Sequence, residues 1–232
     1  MQFVIGGLKK TSLIDYPDKI STIVFTTGCN FRCGYCHNAG LVSGKSKNEV
    51  CSTDSFFDFL KKRVGKIDAV VISGGEATLQ PDLIEFVKRI KDFGYLVKLD
   101  TNGYKPEIIY RLLENSLVDY IAMDIKAPLD KYAFITNVDI DVVKIKESIN
   151  LIMSSYIDYE FRTTVLKKQL DYIDFNKIAK LIKGAKKYFL QKFVVQSEIL
   201  DESLNKEETY TDEEFKRIKE MLQQFINVVE VR

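Results

Sequence analysis

Three cysteines lie close together in one short stretch of the chain, directly after an apolar run. Cys29, Cys33 and Cys36 follow a C-x3-C-x2-C spacing. Three thiolates on one loop can hold three irons of a four-iron cluster, which leaves the fourth iron without a protein ligand. A cluster that only transfers electrons closes its sites with cysteine, whereas a catalytic metal keeps one position open for a substrate. The spacing therefore predicts a catalytic metal centre.

The open iron of such a cluster can bind the amino and carboxylate groups of S-adenosylmethionine and pass one electron into its sulfonium. A zinc site is the first alternative, because His37, the only histidine, or Cys51, the only other cysteine, can complete it. The spacing is not one of the usual zinc patterns. Disulfides are disfavoured because a chain of 232 residues can bury a core without them. For Cys51, the sequence leaves open a buried small residue, a helix start or a role at the cluster.

The composition predicts a globular protein of one domain spanning residues 1–232. The chain is 46% hydrophobic, and α/β barrels of roughly 200–250 residues commonly form one domain. A net charge of +1 gives no electrostatic reason to expect nucleic acid or an anionic membrane as a partner. No run is long and apolar enough for a membrane span, and the first residues lack the features of a signal peptide. Cluster-binding thiolates need a reducing compartment, so we expect the cytoplasm.

Short apolar runs that alternate with helical patterns predict an α/β fold with a parallel sheet. Right-handed crossovers would curl the sheet into an open, partial (β/α)6 barrel. Residues 1–20 are predicted to form an antiparallel hairpin, 228–231 a closing strand, and Thr211 with Glu214 a capping box. Helices are expected around residues 83–90, 145–152, 175–182 and 215–225. The predicted barrel strands are residues 22–25, 69–72, 96–99, 120–123, 161–165 and 193–195.

Polar motifs follow several of these strands, at the end where parallel α/β folds collect their chemistry. Gly74, Gly75 and Glu76 come after the second strand. The glycine amides can bond the methionyl part of the cofactor and Glu76 its ammonium, or the motif is an ordinary strand-to-helix turn. Asp100 and Asn102 come after the next strand, where they can bond ribose hydroxyls or form a plain turn.

Charged and aromatic residues at the remaining strand ends are further candidates. Asp124 and Lys126 lie two apart and so point to the same side, either as part of the site or as a structural ion pair. Arg162 lies inside an apolar strand, where the barrel interior is the favoured position and the cofactor carboxylate or adenosyl group a partner. Tyr35 can stack on adenine or shield the cluster, and His37 can support the site or cap the loop.

Taken together, these motifs resemble the radical S-adenosylmethionine superfamily. Within it, the chain looks like the activating proteins of anaerobic ribonucleoside-triphosphate reductase, near relatives of the pyruvate formate-lyase activases. Three positions depart from the family pattern, since Asp18 and Ala77 stand where glycine and proline are usual and Gly34 where a bulkier residue is common. The resemblance is carried by residues 12–17 with Lys19, 27–38, 73–80, 99–103, 123–126 and 160–165.

The resemblance implies a [4Fe-4S] cluster on Cys29, Cys33 and Cys36, and S-adenosyl-L-methionine as the second cofactor. It also implies a monovalent cation held by Asp100, Thr101 and Asp124, as in the formate-lyase activases. The residues implied to line the cofactor pocket are Tyr35, His37, Gly74, Gly75, Glu76, Asp100, Asn102, Lys126 and Arg162.

The activity that this resemblance implies is the reductive cleavage of S-adenosylmethionine to methionine and a 5′-deoxyadenosyl radical. In an activase, that radical takes a hydrogen atom from a glycine of a partner glycyl-radical enzyme, and a flavodoxin or ferredoxin-type protein donates the electron. Three other functions stay open on the sequence: activation of a pyruvate formate-lyase-type enzyme, a radical enzyme that acts on a small molecule, and a cluster protein that only carries electrons or senses oxygen.

Overall fold

The computed structural model describes residues 2–42, 51–194 and 199–232, which contain one eight-stranded sheet in the strand order β1 to β8. β1 pairs antiparallel with β2, and every later neighbour pair is parallel. The predicted α/β class with a parallel sheet is confirmed. The strands are β1 (Ile5–Ser12), β2 (Ser21–Thr26), β3 (Ala69–Gly74), β4 (Leu96–Thr101), β5 (Tyr120–Asp124), β6 (Asp158–Val165), β7 (Lys187–Lys192) and β8 (Val228–Val231).

The sheet curls around an interior that side chains of non-neighbouring strands share. The Lys187 ammonium on β7 lies 5.8 Å from the ring centroid of Tyr120 on β5. Arg232, directly after β8, pairs with Glu160 on β6 at 3.2 Å. Among the described residues β1 and β8 are the two edges of the sheet, so the barrel is open on that side.

Helices cover the outer face of the sheet, where most of the core lies. The helical patterns of the sequence correspond to α3, α6, α7 and α8, and Thr211 with Glu214 forms the predicted capping box. Of two further helices, Thr53–Lys61 follows an N-cap serine, and Pro106–Glu114 begins with a proline. The helices are α1 (Ala39–Val42), α2 (Thr53–Lys61), α3 (Leu83–Asp92), α4 (Pro106–Glu114), α5 (Tyr132–Thr136), α6 (Val142–Met153), α7 (Tyr172–Leu181) and α8 (Asp212–Leu222).

Two predicted elements differ from the structure. The hairpin expected within residues 1–20 spans β1 and β2, because Ser12 pairs with Ser21 and the turn lies between them. Asp18 in that turn has φ of 58°, the left-handed conformation that glycine adopts freely. The turn therefore keeps its conformation although aspartate stands where the family usually has glycine. The strand expected at 193–195 is wrong for residues 193 and 194, since β7 ends at Lys192, while residue 195 lies outside the described residues.

No helix in the described ranges is long and apolar enough to cross a bilayer.

Candidate functional site

The cysteine loop begins where β2 ends, at the carboxyl edge of the sheet, and is fixed from several sides. Gly28, at φ of 84°, donates its amide to the Leu41 carbonyl at 2.8 Å, and Arg32 donates its amide to the Thr136 carbonyl at 2.8 Å. Gly34 lies against the segment around Asp201 and Leu204, where an added Cβ would approach a Leu204 methyl to 2.9 Å. Close packing therefore explains why residue 34 is glycine, where the family commonly has a bulkier residue.

Cys29, Cys33 and Cys36 line one cavity of about 340 Å³. Burial, assisted by the Glu76 carboxylate, raises the pKa of the Cys29 thiol to about 12, and burial raises the pKa of Cys33. Within the described ranges no group of three His, Cys, Asp or Glu side chains lies close enough together to hold one metal ion. The three thiols share one cavity, which is the placement that a cluster with one iron for each cysteine requires.

The Gly-Gly turn after β3 packs against the start of the cysteine loop. Gly75 donates its amide to the Thr26 carbonyl at 2.9 Å, and Glu76 donates its amide to the Gly28 carbonyl at 2.8 Å. A Cβ on Gly75 would lie 2.0 Å from the Gly28 oxygen, and Gly74 has φ of 118°. Contact between two loops therefore occupies the Gly75 amide and requires the glycine, while a cofactor contact of the Gly74–Gly75 turn stays a prediction.

Glu76 joins the turn after β3 to the loop after β4. Its Oε1 accepts from the Thr78 hydroxyl at 2.6 Å and the Thr101 hydroxyl at 2.7 Å, and its Oε2 accepts from the Asn102 amide at 2.7 Å. Burial raises the pKa of Glu76, while these hydrogen bonds act in the opposite direction. The carboxylate lines the cavity and at the same time fixes Thr101 and Asn102 beside it.

Five alternating charges cross the interior, and four of them line the cavity. Arg162 lies between two carboxylates, with its Nε 2.8 Å from Asp124 Oδ1 and one terminal nitrogen 3.4 Å from Asp100 Oδ2. Lys126 lies 2.9 Å from Asp124 Oδ2, and Lys98 lies 2.9 Å from Asp100 Oδ1. Burial would raise the pKa of Asp124, but Arg162 and Lys126 outweigh it and lower this pKa to about 2. Lys126 and Arg162, which the resemblance places in the cofactor pocket, both line the cavity.

This arrangement differs from what the predicted monovalent cation needs. Every carboxylate oxygen of Asp100 and Asp124 lies within 3.4 Å of an arginine or lysine nitrogen, and the Thr101 hydroxyl donates to Glu76. Asp100 Oδ1 is held by the charge of Lys98 alone, since within the described residues it forms no hydrogen bond. A hard cation requires several oxygen ligands turned toward it. The three residues line the cavity together, yet their oxygens do not form such a set.

Tyr35 and His37 complete the wall of the cavity. Tyr35 is buried, and within the described residues its hydroxyl has no hydrogen-bond partner. The Lys126 ammonium lies 5.9 Å from the centroid of its ring. The His37 ring stacks on Phe193 at 5.7 Å between centroids. A buried hydroxyl that faces a cavity lined with charged side chains fits a polar ligand with aromatic and ionic groups.

All the residues predicted for the site line this one cavity, and the structure adds several that the sequence left aside. Gln191 and Phe31 line it as well, whereas Cys51 is not among its lining residues. Lys98, which lies beside the cavity without lining it, was not predicted as a site residue, although a lysine inside an apolar strand gives the same signal as Arg162. The other added lining residues are Asn38, Val42, Ser73, Thr164 and Lys192.

The fold and the cavity together define a class of protein. Residues 23–182 match the Radical SAM superfamily, and the chain belongs to it. The family implies a four-iron cluster and S-adenosylmethionine, which the three thiols and the adjoining ionic cavity fit. The protein is a radical S-adenosylmethionine enzyme.

Two of its relatives carry the names of activating enzymes. A protein of Methanocaldococcus jannaschii with the provisional name glycyl-radical enzyme activating enzyme is 36% identical over 238 residues, covering 100% of this chain and 97% of its own length. The pyruvate formate-lyase-activating enzyme of Clostridium pasteurianum is 33% identical over 128 residues, covering 53% of this chain and 52% of its own length. The chain thus belongs with homologues of glycyl-radical enzyme activating enzymes.

Solved structures share the fold. Streptococcus suis SuiB bound to S-adenosylmethionine superposes with a TM-score of 0.65 at 14% identity, over 89% of this chain and 48% of that chain. The anSMEcpe protein with bound AdoMet gives a TM-score of 0.54 at 18% identity, over 72% of this chain and 49% of that chain. The chain spans about half the length of these two proteins, and identities this low show the fold alone.

Proposed function

We propose that this protein uses S-adenosylmethionine to generate a glycyl radical on a partner enzyme. The observation that carries the proposal is the convergence of three cysteines and a charged inner face on one cavity at the carboxyl edge of the sheet. The relative that covers the whole chain carries the name of an activating enzyme, which supports a protein substrate over a small molecule, whereas a probable GTP 3′,8-cyclase matches only 50% of this chain.

The side chains around the cavity have separate tasks in this proposal. Cys29, Cys33 and Cys36 each hold one iron, so the fourth iron is left for the cofactor. Lys126 and Arg162, whose side chains are 14% and 13% exposed, present cationic nitrogens for the cofactor carboxylate.

Other residues that line the cavity hold the rest of the cofactor. Glu76 offers the ammonium a buried carboxylate, Asn102 is positioned for the ribose, and Tyr35 for the adenine. His37 borders the cavity beside Phe193. Together these residues would hold S-adenosylmethionine beside the cluster that the three cysteines would bind.

Bound together, the cluster and S-adenosylmethionine supply a one-electron cleavage that gives methionine and a 5′-deoxyadenosyl radical, which takes one hydrogen atom from glycine to leave a glycyl radical and 5′-deoxyadenosine. The protein contributes position and shielding. The buried walls limit access of water and of competing hydrogen donors to the reacting carbon. The partner glycine must therefore enter the open mouth of the barrel on a flexible loop.

The partner that we favour is anaerobic ribonucleoside-triphosphate reductase, on the motifs described above, and a flavodoxin or ferredoxin-type protein is the proposed electron donor. The second candidate is a pyruvate formate-lyase-type enzyme, which the similarity to the clostridial activating enzyme favours. The monovalent cation that the resemblance predicts at Asp100, Thr101 and Asp124 is not part of this proposal, because their carboxylate oxygens already lie against lysine and arginine nitrogens.

The test is anaerobic incubation of the reconstituted protein with S-adenosylmethionine, a reductant and each candidate partner from the same organism. We expect a glycyl-radical doublet by electron paramagnetic resonance with the reductase, and no doublet when Cys36→Ala replaces the unaltered protein. A doublet with only the lyase-type enzyme would reassign the partner. Sustained 5′-deoxyadenosine formation without a protein radical in either mixture would contradict a protein substrate.

A further inference from the structure

Lys98 is a buried cation that lies next to the proposed site without lining its cavity. It is on β4 between Val97 and Leu99, which pack into the core on the helical side. Because side chains alternate along a strand, Lys98 and Asp100 both face the barrel interior, with Lys98 one step further from the cavity. Its side chain is only 4% exposed. A lysine is rarely buried to this degree unless it is paired, so its contacts decide its role.

The Lys98 ammonium is held in place from three directions. It lies 2.9 Å from Asp100 Oδ1 and donates to the Asp15 carbonyl at 2.7 Å. The centroid of the Tyr120 ring is 5.7 Å away. Burial would raise the pKa of Asp100, but the charges of Arg162 and Lys98 outweigh it and lower this pKa. The loop between β1 and β2 thus holds a fixed cation under the carboxylate.

The Lys98 ammonium sets the net charge of the row of five ion-paired groups described above. Glu160 and Arg232 form a separate pair in the interior and are not part of this row. Lys98, Lys126 and Arg162 carry three positive charges, and Asp100 and Asp124 carry two negative ones. One positive charge is left over beside the position proposed for the cofactor carboxylate. Without Lys98 the group would be neutral, and a bound monovalent cation would restore the same excess.

We propose that the Lys98 ammonium is a built-in counter-ion for Asp100 that takes the place of the monovalent cation expected at Asp100, Thr101 and Asp124. Lys98 is then a positioning residue, because it holds Asp100 and through it Arg162. The inference rests on the proposed binding of S-adenosylmethionine in this cavity. Its consequence is that cofactor affinity does not depend on dissolved sodium or potassium, since a tethered ammonium is always present.

The first test uses the unaltered, cluster-loaded protein. S-Adenosylmethionine is titrated while the electron paramagnetic resonance signal of the reduced cluster is followed, in potassium chloride and in tetramethylammonium chloride of equal ionic strength. We expect the dissociation constants to agree within about twofold. A loss of tenfold or more in tetramethylammonium would overturn the inference and leave the proposed function intact. No response of the cluster in either salt would overturn both.

The second test compares two variants in the same titration. Lys98→Met should weaken cofactor binding by about tenfold or more in tetramethylammonium chloride with iron content unchanged, and added potassium that restores part of the affinity supports the counter-ion role further. Lys91→Met is the matched control, because Lys91 pairs with Asp119 at 2.7 Å outside the cavity. Equal affinities for the two variants would overturn the inference. Should Lys98→Met fail to fold, the salt comparison on the unaltered protein decides the question.

Discussion

The two faces of this sheet carry opposite kinds of side chain, although the same strands supply both. On β6, Phe161 faces the helices and is fully buried, while its neighbour Arg162 faces the interior between two carboxylates. On β4, Leu99 packs into the core and Asp100 pairs with Lys98. The difference teaches that the outer face provides most of the apolar burial and the inner face the chemistry. Changes on one face should therefore leave the property of the other largely intact.

The largest effect is expected at the mouth of the inner face. Cys33→Ala should remove the four-iron signal completely, because three thiols are the whole protein ligand set proposed for the cluster. Iron content and the electron paramagnetic resonance spectrum of the reconstituted protein measure this. Cys51→Ala is the matched control and should retain both. A full cluster in Cys33→Ala that still responds to S-adenosylmethionine would show that the ligands are assigned wrongly.

On the outer face, Phe161→Ala should lower the free energy of unfolding by about 3–5 kcal/mol, because it leaves a cavity in a fully buried position. Urea unfolding measures the loss. The protein that remains folded should bind the cofactor as tightly as before. Phe134→Ala, at a side chain that is 74% exposed, should change stability by less than about 0.5 kcal/mol. A large loss of cofactor affinity in folded Phe161→Ala would show that the two faces are not independent.

The division was only partly readable from the sequence. The alternation of strands and helices predicted the α/β class. Residue type identified the cysteines, Arg162 and the acidic residues at the strand ends as candidate site residues. β7 was misplaced because Phe193 and Val194 are apolar throughout, whereas in Lys187–Lys192 charged and polar residues flank the buried Tyr188, Phe189 and Leu190. The packing that requires glycine at position 75 could not be predicted, because a Cβ there would collide with the backbone of Gly28, which is distant in sequence.

Ion pairs on the inner face also contribute to stability, but by a smaller and pH-dependent amount. The pKa of Asp124 falls from 3.8 to about 2 in the folded protein. A lowered pKa stabilises the fold above the unfolded value, so the contribution is complete above about pH 5 and is lost as the pH falls toward 2. A shift of this size corresponds to about 2 kcal/mol.

The measurement is the free energy of unfolding at pH 6 and at pH 2.5 for the unaltered protein and for Asp124→Asn. The variant should lose about 1–2 kcal/mol less over this interval, because asparagine has no carboxylate to protonate. Asp139→Asn, at an aspartate outside the described ion pairs, is the control and should follow the unaltered protein. Identical losses in all three proteins would contradict a charged, paired Asp124.

The smallest change in stability is expected in the turn between β1 and β2. Asp18 has φ of 58°, and a side chain in that conformation is strained. Asp18→Gly should therefore raise the free energy of unfolding by about 0.5 kcal/mol. Lys19→Gly is the control and should lower it, because Lys19 is not among the described residues with positive φ. Destabilisation by Asp18→Gly would indicate that the aspartate side chain holds the turn.

The central claim is that the inner face and the cysteine loop form one site that cleaves S-adenosylmethionine. The most direct measurement is the amount of methionine and 5′-deoxyadenosine formed anaerobically by the reconstituted, reduced protein. We predict both products in equal amounts from the unaltered protein and neither from Cys33→Ala. A protein that holds four irons for each chain yet forms neither product from bound S-adenosylmethionine would contradict the claim.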